Sequence, residues 1–343
     1  MGSASAILHL SHVADKSRFD AAKTYAKETL ERVALHEGLT TDELADRTVP
    51  DLELDKDGTA TLDFGPRKFI VTFDEGLSPM IKAEDGARLP TFPRGTKTDD
   101  AAKVKTASAR FKALKIDADA VAQMLLRRFE RAMIDGRTWR ADAFRTYVIE
   151  HPLVRHIARR LVWQGPRGLF RIAEDGTFAD VRDVEQTLPE DAVVSLPHPL
   201  VLGKEAVTTW SRIASEYAIV QPFEQLGRAT HTLEASELGE TRLTRYHGTT
   251  SKPGPLLGSL EARGWQRWAD ETSLSSCGKK VRTRTGGEAQ VSLAFNPGID
   301  LSSVASAPDQ TLDAPSLSGA PSWSAIDDID LSELLRDLDF VAH

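Results

Sequence analysis

The chain has 343 residues, 41% of them apolar and 27% charged, with a net charge of -8. One cysteine, Cys277, excludes an internal disulfide framework and a cysteine-rich zinc site, and fits a reducing cytoplasm. No apolar run approaches the ~20 residues that a membrane helix needs, so no membrane partner is expected.

The opening MGSASAILHLSH lacks a basic n-region and reads as a plain start rather than a signal peptide or a myristoylation site. Residues 17–37 place Phe19, Ala22, Ala26, Leu30, Val33 and Ala34 at helical spacing, and Gly38 stops that helix. Thr40 or Thr41 then caps a short helix with Glu43 in capping-box position. From 52 to 92 the pattern turns to strands at Leu52–Leu54, Thr59–Phe64, Lys68–Phe73 and Met80–Lys82. Asp57-Gly58, Gly65-Pro66, Gly76 and Asp85-Gly86 supply the turns.

A linker at 93–103 leads to a long helix over 101–134. Its stripe is Val121, Leu125, Phe129 and Met133, and Gly136 ends it. Helices over 141–150 and 152–160 follow. Strands return at Leu169–Ala173 and Thr177–Val181 around the turn Glu174-Asp175-Gly176, and at Ala192–Leu196. A helix over 204–217 carries Trp210. A helical turn is expected at 255–264, a strand at 289–295, a loose Ser/Pro/Ala stretch at 302–322 and an acidic helix at Leu331–Val341. Trp163, Phe170, Trp210 and Phe223 read as one core. The sum is an α+β fold with N-terminal helices and an antiparallel meander, central helices and a C-terminal mixed α/β region. The expected segments are 1–48, 49–98, 99–165 and 166–343.

Several runs together carry a family resemblance. They are HPLVRHIARRLVWQ at 151–164, FRIAEDGT at 170–177, LPHPL at 196–200, QPFEQLGR at 221–228, GSLEARGWQR at 258–267 and DIDLSELLRDLDF at 328–340. LTTDELADRTVPDLELDKDG at 39–58 adds to them. The chain resembles the bacterial domain of unknown function numbered 4132, seen in proteins called MolR-like and often joined to a WGR domain. The resemblance implies the C-terminal part of a longer, helical-repeat architecture. It implies a regulator label and a link to nucleic-acid ends by association only, and it carries no catalytic residues.

Chemistry read from the residues is sparse. Tyr246-His247-Gly248-Thr249 resembles the nicotinamide-binding motif of ADP-ribosyltransferases, with Glu288 standing where their catalytic glutamate would be. Only 41 residues separate His247 from Glu288, without a tyrosine between, which favours a plain loop after a strand. His198, between two prolines, reads as a buried turn histidine or as a base. Glu224 is a further catalytic candidate. His151 and His156, five apart, point to different helix faces. Glu174-Asp175-Gly176 and Asp55-Lys56-Asp57-Gly58 read as turns, and Cys277 as a loop thiol. No phosphate-binding glycine loop and no nucleophile elbow occurs. No metal site and no cofactor is expected.

Charge is the stronger signal. Residues 101–160 hold 14 Lys and Arg against 6 Asp and Glu, while 299–343 hold nine acids and one arginine. Arg127, Arg128, Arg131, Arg137, Arg140, Arg145, Arg155, Arg159 and Arg160 suit carboxylates or phosphates. Three uses stay open: docking of the acidic tail, docking of a protein partner or upstream domain, and nucleic-acid binding. Arg127, Arg128 and Arg131 are the expected contacts. The amide-rich loop with Gln221, Gln225 and Arg228 is the second expected binding place. The reading is a non-catalytic regulatory or interaction module, the alternative an enzyme acting on a nucleotide or nucleic acid.

Overall fold

A computed structural model describes residues 4–17, 19–267 and 273–342. The fold is α+β, as the block pattern implies. The chain divides into two units: Met1–Pro197 with Thr209–Gln225, and His198–Thr208 with Leu226–His343.

The first unit opens with α1 (Ala4–Lys16), α2 (Asp20–His36) and α3 (Thr41–Arg47). The helix read over 17–37 is α2; α1 lies in the stretch read as a plain start, and Met1–Ser3 and Arg18 are outside the described residues. α3 begins at a complete capping box. The Thr40 hydroxyl accepts from Glu43 N at 3.1 Å, and the Glu43 carboxylate accepts from Thr40 N at 2.8 Å.

A four-stranded antiparallel sheet follows: β1 (Ala60–Asp63), β2 (Lys68–Phe73), β3 (Pro79–Ala83) and β4 (Arg88–Leu89), in that order. Phe69, Val71 and Phe73 alternate into the core. Leu52–Leu54 is not the strand its alternation suggests. Asp51 Oδ1 accepts from Glu53 N at 2.9 Å, and Leu52 and Glu53 both take positive φ, so a side-chain turn overrides the strand pattern.

α4 (Ala101–Asp135) starts where Asp100 accepts from Ala102 N and Lys103 N, and it stops at Gly136, which is left-handed at φ 65°. Leu114, Val121, Leu125, Phe129 and Met133 make its buried stripe. After β5 (Thr138–Arg140), the predicted helix over 141–150 is α5 (Ala141–Phe144) widened into a π turn, with Glu150 N donating to Arg145 O. α6 (Val154–Ala158) follows. The remaining strands are β6 (Trp163–Gly165), β7 (Gly168–Ile172), β8 (Phe178–Ala179), β9 (Glu185–Gln186) and β10 (Val193–Ser195). They share a sheet with β5 in the order β5-β10-β6-β7-β8-β9. The boundary expected at 165/166 therefore falls inside one sheet.

The core of this unit is built round Trp163. Its ring meets Phe144 at 4.8 Å, Trp139 at 5.6 Å and Phe129 at 5.7 Å, all near edge-to-face. Its Nε1 donates to Ala158 O at 2.9 Å. Phe170 belongs to the same cluster and Phe223 packs on it. Trp210 is buried but lies outside that cluster, against expectation. It sits on α7 (Pro199–Glu216), which is interrupted at Gly203 and divides between the units.

The second unit holds β11 (Thr250–Ser251), α8 (Pro253–Ala262), β12 (Gln266–Arg267), β13 (Ser273–Arg282), β14 (Glu288–Asp300), β15 (Gln310–Leu312), β16 (Ser316–Ser318) and α9 (Asp328–Ala342). The strands run β11-β15-β14-β13-β12, with β16 also on β14. The stretch at 302–322 is thus not loose: β15 and β16 lie within it and bury Leu312 and Leu317. No described helix is long and apolar enough to cross a membrane.

Trp163→Ala removes the ring that three other aromatics share. It is expected to cost about 3–5 kcal/mol, read as a lowered urea midpoint for the first unit's transition.

Candidate functional site

The second unit buries charge on its last helix. Leu331 to Leu335 are buried without interruption, so α9 is enclosed on every side there. Glu333 and Asp337 therefore sit in the interior, although Glu333 lies opposite the leucine stripe. Arg228 meets Glu333 through two hydrogen bonds, Nε at 2.7 Å and Nη2 on the other carboxylate oxygen. His198 Nε2 lies 3.2 Å from Glu333 Oε1, with His198 fully buried. Burial pushes the Glu333 carboxyl up, but Arg228 and then His198 outweigh it and hold it down at about 2.

One turn later Asp337 takes Lys279 Nζ at 2.6 Å and Trp265 Nε1 at 3.0 Å, with Arg263 Nε at 3.4 Å. Here burial wins, and the Asp337 carboxyl stays above its ordinary value despite these partners. Tyr246 donates to Asp339 Oδ1 at 2.6 Å, and burial raises its phenol. The acidic tail thus finds its cations inside its own unit. Arg282 on Asp330 and Arg284 on Asp328 complete the pattern.

Among the described residues no hydrogen bond or ion pair joins His198, His247 and Glu288 to one another. His198 belongs to Glu333. His247 is exposed, with Nδ1 3.0 Å from Asp313 Oδ1. Glu288 is exposed beside Lys280, at 3.1 Å. Asp313 N donates to Ala294 O, six residues along β14 from Glu288, or roughly 20 Å of strand. Glu224 is exposed in the first unit. Cys277 is no loop thiol: it is buried in β13, and burial pushes it up to about 12. Among the described residues no group of three His, Cys, Asp or Glu gathers as a metal site.

The amide-rich loop is structural as well. Gln225 is fully buried. Its Oε1 accepts from Val162 N at 2.9 Å and from Gln221 Nε2 at 3.2 Å, and its Nε2 donates to Val162 O and Pro197 O. The chain there is clamped by its own glutamine.

Most of the basic segment also has internal work. Arg128 donates to Ala45 O and Asp46 Oδ1, and burial draws its guanidinium below the ordinary value against the pull of Asp46. Arg137 and Trp139 Nε1 reach the other oxygen of Asp46. A pocket bordered by Asp46, Arg128, Arg137 and Tyr147 has room for about one water, far below a substrate cavity. Arg145 donates to Leu188 O. Arg131 pairs with Asp135 on the surface, and Arg127 is exposed.

Residues 86–265 match the family model described as a domain of unknown function (DUF4132). The chain belongs to that family. Across 98% of its length it is 33% identical to "Uncharacterized protein YehI" of Escherichia coli, and it spans 28% of that relative. No solved structure matches it. The matched region of this DUF4132 chain contains β5 to β10 with the Trp163 core, and it ends at Trp265, whose Nε1 serves Asp337. His198, Gln225 and Arg228 lie inside it; Glu333 lies beyond it.

Glu333→Gln takes from buried Arg228 and His198 the carboxylate that they share. At pH 7 it is expected to cost roughly 3–5 kcal/mol. The folded carboxyl sits at about 2 against 4.5 when free, so its contribution is present above pH 4.5 and is lost as pH falls toward 2. The stability gap between wild type and variant, from urea curves at stepped pH, should narrow through that window. A gap that stays constant would remove the role given to the ionised pair.

Proposed function

We propose that this chain acts as a non-catalytic interaction module, with the basic helical segment of its first unit facing an acidic protein surface. The observation that carries this reading is dispersal. His198, His247 and Glu288 each have a different charged partner, and two of the three are exposed, whereas general acid–base or group-transfer chemistry needs its groups to converge on one reacting atom. The regulatory role and the MolR-like and WGR links belong to this proposal, as does an intracellular setting.

Protein is favoured over nucleic acid by how the arginines are used. Arg128, Arg137 and Arg145 are committed to Asp46 or to a main-chain carbonyl, and Arg131 has Asp135 beside it. A duplex-binding face needs a row of uncommitted cations tracking phosphates. Because the chain spans 28% of its relative, the partner surface of the whole protein extends this proposal rather than follows from it.

The purified chain should turn over neither NAD nor nucleoside triphosphates, and it should not cleave single- or double-stranded nucleic acid. It should not retard labelled duplex or RNA at low salt, where phosphate contacts are strongest. Turnover abolished by His247→Ala, Glu288→Gln or His198→Ala would overturn the reading in favour of an enzyme. Low-salt retardation lost in Arg127→Glu/Arg131→Glu would replace the protein partner with nucleic acid.

A further inference from the structure

Three arginines and a histidine fall within six residues at α6: Arg155, His156, Arg159 and Arg160. The opposite side of this short helix is fixed in the core by Val154, Ile157 and Ala158. The four polar side chains therefore emerge together, each half-buried. Unlike Arg128 and Arg137, none of the three arginines has a carboxylate within 4.0 Å among the described residues.

Their few bonds place them without neutralising them. Arg155 Nη1 donates to Lys56 O at 3.0 Å. Its other terminal nitrogen lies over Gly58, 2.7 Å from where a Cβ would stand, and Gly58 takes a positive φ of 76°. Arg160 donates from Nε to His156 O and from Nη1 to Val220 O, both at 3.2 Å. Among the described residues the Arg159 side chain makes no hydrogen bond, and the Nε atoms of Arg155 and Arg159 are both buried without one. A buried donor left unpaired is destabilising, more so when charged.

The nearest acids are at longer range, and three of the five are engaged. Glu174 and Asp175 face Arg159, Asp74 and Glu75 face Arg160, and Asp55 faces Arg155. Asp74 accepts from Gly76 N and Ser78 N, Asp175 from Thr177, and Asp55 from Thr59. Each closes a turn. The His156 ring makes no hydrogen bond among the described residues. Burial, then Arg155, Arg159 and Arg160, push it down to about 4, against Asp74.

We propose that Arg155, His156, Arg159 and Arg160 form a binding site for a single phosphate monoester group. Guanidinium N–H groups supply the in-plane donors a phosphate takes, and among the described residues those of the Arg159 side chain have no hydrogen-bond partner. The rim of Asp74, Glu75, Glu174 and Asp175 selects a compact dianion over a nucleic-acid strand, whose neighbouring phosphates would meet carboxylates. This rests on the interaction reading: the site is where a partner's or ligand's phosphate would be held, with no bond made or broken.

Inorganic phosphate titrated into the full chain by calorimetry, with sodium chloride of equal ionic strength as the blank, should show saturable binding. Arg159→Gln should weaken it by about tenfold or more, and Arg88→Gln, at an exposed arginine on β4, should leave it unchanged. Because Arg159 holds nothing in the free chain, Arg159→Gln should keep or raise the melting temperature while losing the stabilisation by phosphate. An arginine with a purely structural role would lower it. The His156 ring resonances should titrate at higher pH with phosphate present, since the dianion offsets its three cationic neighbours. O-phosphoserine and AMP as further probes separate a phosphorylated protein from a nucleotide as the source. No saturable binding, or binding untouched by Arg159→Gln, would overturn the site. That result, with no turnover in the assays above, leaves the interaction reading standing; histidine-dependent turnover ends that reading whatever phosphate does.

Discussion

The constraint on which the second unit depends is the burial of two carboxylates on α9. A helix packed on one side keeps its acids in water. This one is enclosed through Leu331–Leu335, so Glu333 and Asp337 must be answered from within. The answers come from far along the chain: His198 and Arg228 for Glu333, Trp265, Arg263 and Lys279 for Asp337. These links tie the segment after β10, the end of α8, β12's approach and β13 to one helix. Such pairs add little net stability over an apolar core, but a mispaired helix would leave a bare charge inside, so they fix which arrangement forms.

The first unit uses charge in a second way. Asp46, at the end of the short helix α3, accepts from Arg128, Arg137 and Trp139, and so connects α3 to α4 and β5. Arg145 and Arg160 donate to main-chain carbonyls of loops, which lack partners in regular structure. Much of the local positive charge is therefore architectural. A count of arginines measures the potential to bind an anion outside the protein only after those committed inside have been removed.

The elements whose signals are local were legible. The capping box at Thr40–Glu43, the Asp100 to Gly136 limits of α4 and the Lys68–Phe73 strand rest on neighbours in sequence, and they stand where the residues put them. Leu52–Leu54 alternated like a strand, but Asp51 closed a turn over it. The long strand β13 was missed because a register shift between Leu274 and Ser276 breaks its alternation, leaving buried Leu274, Cys277 and Val281 three and four residues apart among serines, a glycine and lysines. The stretch at 302–322 has loop composition, yet edges of β14 recruit it by main-chain pairing, which composition does not report. For the site, periodicity misled: Glu333 falls on the polar side of α9's heptads, and nothing in one helix says that its polar side is also covered. Arg228 was singled out, but without its partner it read as a loop cation.

These two uses of charge explain why α6 stands apart. Where this chain buries an acid it supplies cations at hydrogen-bonding distance, and where it buries Arg128 or Arg137 it supplies Asp46. Arg155, Arg159 and Arg160 break that habit inside a structure that otherwise keeps it. Desolvation opposes the position of Arg159 and Arg160, with repulsion from Arg155 added at Arg159, and the packing of Val154, Ile157 and Ala158 holds the helix there regardless. The rigid side of α6 thus bears the cost of presenting the charged side. An unpaired cluster held by a well-packed scaffold is pre-organised for an anion that arrives from outside, because the ordering has already been done by folding.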